Sequence, residues 1–263
     1  MLRSVGHGKG LSNMYKGFYN LTSAMLTQGR MLDVISNNMT NVATHGFKAD
    51  RYTMSTFDQH VWSLVGNKNK VYTELGEQSF ITAPSQLYTD FSQASFDETG
   101  QPLDFAIEGR GYFAVETDEG RIYTRNGNFS LDDEGYLCLP GQGRVLDPDG
   151  EPILLVTDKI RDDGYGGLFT ENGGFLGRVG VFAFEDEEAM LEKNDRALFV
   201  SNAQPEVTLV TVHNGMLERA NVDLVQQMME MIASQRAYQS AAEVIKIYDE
   251  LINKVTTNVG ALT

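Results

Sequence analysis

Apolar side chains recur at seven-residue intervals through the C-terminal stretch of the chain, residues 221–259. One heptad core position holds Leu224, Met231, Tyr238, Ile245, Ile252 and Val259, and the other includes Ala241, Tyr248 and Val255. This spacing predicts one long α-helix with a single apolar stripe, capped at its N-terminus by Asn221. A lone helix cannot bury such a stripe, so the pattern also predicts a partner helix.

The N-terminal part of the chain carries the same seven-residue pattern. Its two core positions hold Phe18, Met25, Leu32 and Met39, and Leu21, Gln28, Ile35 and Val42. The pattern predicts a helix from about Met14 to Asn41, with Gly46 beyond it as a left-handed helix stop. We expect this helix to pair with the C-terminal helix in a coiled-coil-like stalk.

The residues between the two helical patterns favour β-strands. Short runs of alternating β-branched and aromatic residues, such as residues 111–115, are separated by turns that contain glycine, aspartate or asparagine. A short second helix is predicted from Ser55, and a single helical turn is predicted within residues 186–192. The pattern therefore predicts a β module that is inserted between two terminal helices.

These changes of pattern divide the chain into parts. Residues 14–65 and 213–263 are predicted to form one helical terminal domain, residues 66–95 an extended connector, and residues 96–212 an all-β domain. The predicted fold class is α+β. Residues 1–13 are polar and glycine-rich, and we interpret them either as a flexible natural N-terminus or as a leader that is not native to the protein.

Composition and charge exclude several classes of partner. The chain has 263 residues, of which 41% are hydrophobic, so it can bury one large core or two modest ones. Its 21 basic and 36 acidic residues give a net charge of -15, which argues against nucleic acid as a partner. No stretch approaches the roughly 20 apolar residues of a membrane span. We expect no membrane insertion and no cleavable signal peptide.

The residue types that carry catalysis and metal binding lack the spacing that such chemistry needs. The 4 histidines are scattered, and no zinc-protease or serine-hydrolase motif occurs. Residues 147–150 resemble half of a calcium loop but lack its terminal glutamate, so a β-turn is the better interpretation. Cys138, the single cysteine, lies in an apolar run and is expected to be a buried strand thiol. The sequence predicts no enzyme, no metal site and no cofactor.

Several sequence blocks resemble the bacterial flagellar rod and hook proteins. Residues 35–48 read Ile-Ser-Asn-Asn-Met-Thr-Asn-Val-Ala-Thr-His-Gly-Phe-Lys, which is similar to the N-terminal signature of that family. Residues 99–113, 123–129 and 217–223, together with residues 235–238, resemble further family blocks in the same order. The resemblance covers the chain from Met14 onward, and the length and single β module look most like the distal-rod type.

The resemblance implies an architecture and a mechanical function. Members of the family are similar in having a helical domain, made by both termini, that lines a tubular filament, and a β domain that faces outward. The implied function is that of a basal-body rod subunit, which transmits torque to the hook while the hollow core passes export substrates. The implied partners are further copies of the chain, other rod and hook subunits, and the flagellar type III export apparatus.

Four residues depart from the family pattern. Arg110 and Tyr112 stand where many members have Asp and Phe, and Thr40 and Ala43 replace the common Ala and Asn. These changes are compatible with a packing role, and they leave open whether the chain is a proximal or a distal rod protein.

The candidate site is a subunit interface on the two terminal helices. The side-chain amides of Asn37 and Asn38 either point outward as ordinary polar groups or bond a neighbouring chain. The candidate interface residues are Phe18, Leu21, Met25, Leu32, Ile35, Asn37, Asn38, Met39, Leu224, Met231, Tyr238, Ile245, Tyr248 and Ile252.

Other functions stay open at this point. One is a hook or hook-associated axial protein of the same family. Another is a carbohydrate-binding or adhesin-like β module, which an exposed aromatic cluster would identify; Tyr165, Phe169 and Phe175 are the candidates, and we interpret them as turn and core residues. Paired carboxylates for glycosidase chemistry also stay open, because an acidic chain always offers pairs whose separation the sequence does not reveal.

Overall fold

The computed structural model describes residues 8–65, 72–157, 159–194 and 198–260. The chain forms two compact units. The terminal unit comprises Met1–Asn37, Asp50–Tyr88 and Leu224–Thr263, and the β unit comprises Asn38–Ala49 and Thr89–Asp223. The architecture is thus α+β, with an N-terminal and a C-terminal helix flanking a β domain.

The helices are α1 (Gly8–Thr40), α2 (Glu187–Met190) and α3 (Leu224–Gly260). Both long helices that the heptad pattern predicts are confirmed. α1 begins before the predicted Met14, and α3 begins after the predicted Asn221. α2 is the predicted single helical turn within residues 186–192, and the Asp186 side chain caps it by accepting a hydrogen bond from the Ala189 amide, 3.2 Å away.

The two long helices meet within the terminal unit. The ring of Tyr238 on α3 lies beside Gly29 on α1, where a side-chain Cβ would be 3.9 Å from the ring. Thr27 and Ser234 are both buried although they are polar. Thr27 donates its hydroxyl to the carbonyl of Ser23, one helical turn earlier, which satisfies the buried group.

A two-stranded sheet replaces the predicted short second helix. Its strands are β1 (Asp50–Val65) and β2 (Tyr72–Thr89), so the helix predicted from Ser55 is wrong. The Thr53 hydroxyl donates to the Gln86 carbonyl across the pair at 3.0 Å. The segment is rich in aromatic and β-branched residues, and a partner strand available for pairing outweighs the helical spacing of its apolar residues.

The β unit holds the remaining strands, most of which lie where the alternating pattern predicts them. They are β3 (Phe96–Glu98), β4 (Phe105–Glu108), β5 (Tyr112–Thr117), β6 (Gly120–Thr124), β7 (Ser130–Leu131), β8 (Leu137–Leu139), β9 (Gly143–Val145), β10 (Ile160–Asp162), β11 (Gly167–Thr170), β12 (Phe175–Arg178), β13 (Val181–Ala183), β14 (Glu192–Lys193), β15 (Phe199–Val200), β16 (Glu206–Val207), β17 (Thr211–Asn214) and β18 (Met216–Glu218).

A nine-stranded sheet with β5 near its centre organises the β unit. Strands β10, β11 and β12 form a separate antiparallel sheet. The last two strands return to the first two: β17 pairs with β4, and β18 pairs with β3, both antiparallel. The strand that leads out of the β unit therefore lies next to the strand that leads into it.

Strand β5 is buried on both faces. Phe113 and Val115 point into the larger apolar cluster, while Tyr112 and Ala114 point into a second cluster. Successive side chains of a strand face opposite sides of the sheet, so this one strand contributes to both cores. Within the described residues, no helix combines the length and the hydrophobicity of a membrane span.

Candidate subunit interface

The predicted interface side chains on the two heptad stripes are largely covered by the chain itself. Ile35 and Asn38 are buried, and Asn37 is exposed. Leu224 and Ile252 are exposed to 38% and 37%. The half-buried members are Phe18, Leu21, Met25, Leu32, Met39, Met231, Tyr238, Ile245 and Tyr248. The role of these fourteen side chains in subunit contacts stays a prediction.

Other faces of the helices expose apolar side chains that the heptad stripes do not include. On α3, Val225, Met229 and Ile247 are exposed to 66%, 61% and 55%. On α1, Tyr19 and Leu26 are exposed to 65% and 55%. Contiguous exposed apolar side chains mark interaction surfaces more often than isolated ones do. These residues fall outside the heptad core positions, so the heptad pattern did not select them as interface residues.

The resembling sequence blocks converge on a buried carboxylate that sequence reasoning missed. One oxygen of Glu218, Oε1, accepts hydrogen bonds from Lys48 Nζ at 2.7 Å and from the Ala94 amide at 3.0 Å. The other oxygen, Oε2, accepts one from Arg125 Nη1 at 3.2 Å. The three charged side chains are 3% exposed or less. We call Lys48, Arg125 and Glu218 the signature cluster.

The cations of the signature cluster have further partners on the backbone. Lys48 Nζ donates to the Ser92 carbonyl at 2.8 Å, and Arg125 Nη2 donates to the Gly109 carbonyl at 2.7 Å. Burial lowers the pKa of Lys48, and the carboxylate of Glu218 opposes that shift. Lys48 and Arg125 share the carboxylate of Glu218. Loss of that one negative charge should therefore cost more stability than loss of either cation.

Hydrogen bonds fix the loop after α1 against the segment that precedes α3. The Gly46 amide donates to the Glu218 carbonyl at 2.7 Å. Asn221 accepts a hydrogen bond from the Ala49 amide at 2.6 Å and donates one to the Asp90 carbonyl at 2.7 Å. Asn221 is therefore a cross-link between segments, and the prediction that it caps α3 is wrong.

Gly46 is also used differently from the prediction. α1 ends at Thr40, so Gly46 lies beyond the helix stop that it was expected to form. Its φ angle of 70° is in the left-handed region, as predicted. A tertiary contact accounts for glycine at this position. Gly46 packs directly against the backbone of Arg125 and Asn126, where a Cβ would overlap.

Tyr112 packs beside the signature cluster. The guanidinium of Arg125 lies 5.1 Å from the centre of its ring, and the ring is fully buried. Its hydroxyl has no hydrogen-bond partner among the described residues. Burial raises the pKa of Tyr112, and the carboxylate of Glu187 adds to the shift.

We expect Tyr112→Phe to stabilise the protein by about 1 kcal/mol near neutral pH, because it removes a buried hydroxyl that has no partner. The unfolded chain ionises this tyrosine above about pH 10, whereas the native state holds it protonated, so stability of the original protein falls as pH rises through that range. The Tyr112→Phe variant should lose less stability over the same pH range. Urea unfolding at about pH 7 and about pH 11 measures both effects.

Tyr165→Phe is the matched control for Tyr112→Phe, since Tyr165 is 58% exposed. The control should leave the stability and its alkaline dependence close to those of the original protein. A loss of stability in Tyr112→Phe would show that the hydroxyl has a favourable partner and would overturn this account.

The turn interpretation of residues 147–150 holds, and two burial expectations are wrong. The Gly150 amide donates to the Asp147 carbonyl at 3.0 Å, which is the predicted β-turn. Cys138 lies on β8, as expected, but it is half-buried, with its sulfur 3.3 Å from the Ser130 hydroxyl. Phe175 was interpreted as a core residue, but it is 62% exposed and stacks edge-on with Phe169 at the surface.

No cluster that could hold a metal ion occurs in the part of the chain that the structure describes. What the described residues offer is a pair of helix surfaces with exposed apolar side chains and a buried charge cluster. Exposed apolar side chains of this kind mark surfaces that bind other molecules.

Comparison with known proteins identifies the family. The family model described as flagellar basal body rod FlgEFG protein C-terminal matches residues 213–258. The model described as flagellar hook protein FlgE/F/G D1 domain matches residues 106–176. The matched segments contain several of the resembling blocks. One covers part of the β unit, and the other covers the end of the β unit and most of α3.

Similar proteins extend over nearly the whole chain. The flagellar basal-body rod protein FlgG of Bacillus subtilis (strain 168) is 31% identical over 92% of this chain and 98% of its own length. The flagellar basal-body rod protein FlgF of Mesorhizobium japonicum is 30% identical over 89% of this chain and 93% of its own length. The flagellar hook-basal body complex protein FlhO of Bacillus subtilis is 27% identical over 95% and 100%. The chain belongs to the family of flagellar basal-body rod proteins.

Proposed function

We propose that this protein is a structural subunit of the bacterial flagellar basal-body rod. It polymerises through its terminal helices into a hollow tube that transmits torque to the hook and passes export substrates. The observation that carries the proposal is the similarity to two named rod proteins over most of both chains. The partners in this proposal are further copies of the chain, other rod and hook subunits, and the flagellar export apparatus.

The helix surfaces support a polymerising role. Tyr19 and Leu26 on α1, and Val225, Met229 and Ile247 on α3, leave apolar area in water that a neighbour could cover. Each buried CH₂ group contributes roughly 0.8 kcal/mol, so even a few such side chains favour association. Head-to-tail contacts between unlike surfaces produce a helical tube when the rotation between copies does not close into a ring.

Deletion of the gene in the source bacterium tests the function. We expect loss of motility and of external hooks while the inner rings of the basal body are retained, as seen by electron microscopy of isolated basal bodies. Restoration by the unaltered gene completes the test. Normal hooks and motility in the deletion strain would overturn the proposal, and the point at which the rod stops would decide between a proximal and a distal position.

The predicted heptad interface is tested by Ile245→Asp. Ile245 is half-buried on α3, and a carboxylate at this position would lie on a packed apolar stripe without a partner. We expect the β unit to remain folded and incorporation into basal bodies to be lost. Motility plates and basal-body imaging measure incorporation, and near-ultraviolet circular dichroism of the purified protein reports the packing of the aromatic clusters.

Gln235→Asp is the control for Ile245→Asp, because Gln235 is an exposed polar residue on a flank of the same helix. It introduces the same carboxylate and should support motility. Normal motility of the Ile245→Asp strain would remove the heptad stripe from the proposed interface.

A hook or hook-associated protein is the second candidate. The D1-domain model that matches residues 106–176 is named for the hook protein FlgE as well as for FlgF and FlgG. The same deletion separates the two functions: a rod subunit is required for any hook to form, whereas loss of a hook-associated protein leaves a complete rod.

A further inference from the structure

Two rows of exposed side chains, one on each long helix, have matching spacing. On α1 the outer row, which we call the outer α1 stripe, consists of Tyr19, Thr22, Leu26, Arg30, Asp33 and Asn37. On α3 the outer α3 stripe consists of Lys254, Leu251, Ile247, Glu243, Ser240 and Arg236. In the orders given, successive members of each stripe are three, four, four, three and four residues apart. Every member is exposed.

The two helices run antiparallel within the chain. The loop after α1 and the segment before α3 are joined by the hydrogen bond between Ala49 and Asn221, so α1 ends near the place where α3 begins. Gly29 and Tyr238, each several turns from that place, lie side by side. In a head-to-tail stack all copies point the same way, so α1 of one copy is also antiparallel to α3 of the next.

We propose that the outer α1 stripe of one copy docks antiparallel on the outer α3 stripe of a second copy, in the register that places Leu26 against Ile247. This proposal rests on the proposed function and names the surface through which copies of the chain meet. In this register Arg30 faces Glu243, and the ring of Tyr19 faces the ammonium of Lys254. The stripes extend over about 27 Å of helix, since an α-helix rises about 1.5 Å per residue.

Apolar matching supports this register. Leu26 and Ile247 are each 55% exposed, and Leu251, at 49%, faces the methyl-bearing side chain of Thr22. Same-face neighbours on a helix recur at three- and four-residue intervals, so the competing registers differ by one helical turn. A slip of one turn would place Leu26 opposite Glu243 in one direction, or Ile247 opposite Arg30 in the other. The apolar contacts therefore favour one alignment over its immediate alternatives.

Charge matching supports the same register. Glu243 and Lys254 have no ion-pair partner among the residues that the structure describes. Both side chains are exposed. The nearest contact described for the Arg30 guanidinium is the Tyr52 hydroxyl, at 3.5 Å, which leaves the cation without a carboxylate. Complementary charges across an interface select the partner and set the alignment, because like charges in the same places repel.

A charge exchange tests the contact in the source bacterium, with the gene deleted and variants supplied in its place. Arg30→Glu and Glu243→Arg each place like charges face to face, so each alone should reduce assembled hook–basal bodies by at least about tenfold. The double variant Arg30→Glu/Glu243→Arg restores opposite charges and should restore assembly. Asp249→Arg, which makes the same charge change at an exposed position outside the stripe, is the control and should assemble normally.

Co-expression of the two single variants distinguishes a contact between copies from one within a copy. If the stripes meet between copies, a mixture of Arg30→Glu and Glu243→Arg chains can alternate with complementary charges at every contact, and assembly should recover. Recovery in the double variant without recovery in the mixture would place the pair within one chain and overturn the proposal. Normal assembly of both single variants would also overturn it, while the deletion phenotype would leave the proposed function intact.

Cysteine cross-linking gives a second readout that does not depend on motility. In a Cys138→Ser background, Leu26→Cys chains are co-expressed with Ile247→Cys chains, and isolated basal bodies are treated with a mild thiol oxidant. Disulfide-linked dimers are expected in the mixture and absent from either variant alone. Failure to cross-link in basal bodies that contain both chains would contradict the register.

Discussion

Glu218→Gln lowers the free energy of unfolding by about 3 to 5 kcal/mol, the cost expected when a buried ion pair loses one partner. The substitution keeps the shape of the side chain but removes the only carboxylate that bonds both the Lys48 and the Arg125 cation among the described residues, and both cations are nearly inaccessible to water. It also weakens the hydrogen bond that Oε1 accepts from the Ala94 amide. Equilibrium unfolding in urea, followed by tyrosine and tryptophan fluorescence, measures the loss.

Two further variants decide whether charge is the cause. Glu134→Gln makes the same chemical change in an exposed pair with Arg144, and it should change stability little. Lys48→Met removes one of two cations, which leaves Glu218 paired with Arg125, so its cost should be clearly smaller than that of Glu218→Gln. Equal losses for Lys48→Met and Glu218→Gln would refute the view that the anion is the limiting charge.

Gly46→Ala is expected to cost more than about 3 kcal/mol, because it combines left-handed backbone strain with a steric overlap. The added Cβ would overlap the backbone of Arg125 and Asn126, which cannot move without displacing the Arg125 side chain from Glu218. We therefore expect this variant to perturb the signature cluster as well as the loop. Thermal unfolding and urea unfolding both report the change.

Gly100→Ala separates the two contributions. Gly100 has a φ angle of 64°, close to the 70° of Gly46, but nothing lies within 4 Å of a Cβ added there. Its cost should be about 1 to 2 kcal/mol, the strain of the left-handed conformation alone. If Gly46→Ala were no more harmful than Gly100→Ala, the close approach of Gly46 to Arg125 would have no energetic consequence.

The signature cluster gives the resembling blocks a physical meaning. Lys48 closes one block, Arg125 lies in a second and Glu218 lies in a third. Glu218 and Lys48 are 170 residues apart in sequence, yet their charged atoms are 2.7 Å apart. A cluster of this kind forms only when both ends of the β unit are present, so a C-terminal truncation before Met216 removes both β18 and the anion.

The predicted elements differ in accuracy for reasons that can be stated from particular residues. The heptads from Phe18 and Leu224 are long and repeat many times, and both helices formed. The helix predicted from Ser55 rested on a few apolar positions, and pairing with β2 overrode them. Asn221 carries a side chain that suits a helix cap, but its amide oxygen accepts a hydrogen bond from Ala49 and its amide nitrogen donates one to Asp90.

For the candidate interface, too, local sequence pattern predicted some features and tertiary contacts decided others. The sequence indicated correctly that the terminal helices carry apolar stripes, since that property depends only on spacing along one helix. It could not show that α1 and α3 partly cover the heptad side chains in the single chain, or that Leu26 and Ile247 remain in water. Exposure is a property of what surrounds a side chain, and no local pattern encodes it.

Local spacing by itself determined the two long helices, the positions of most strands in the β unit and the absence of a membrane-spanning run, because each of these follows from neighbours within a few residues. The blocks of residues 35–48, 123–129 and 217–223 also indicated the family. Only the tertiary structure decided that these blocks meet at Glu218, that residues 50–65 form a strand, and which faces of α1 and α3 stay exposed. These depend on contacts between residues far apart in sequence, which form when the chain packs.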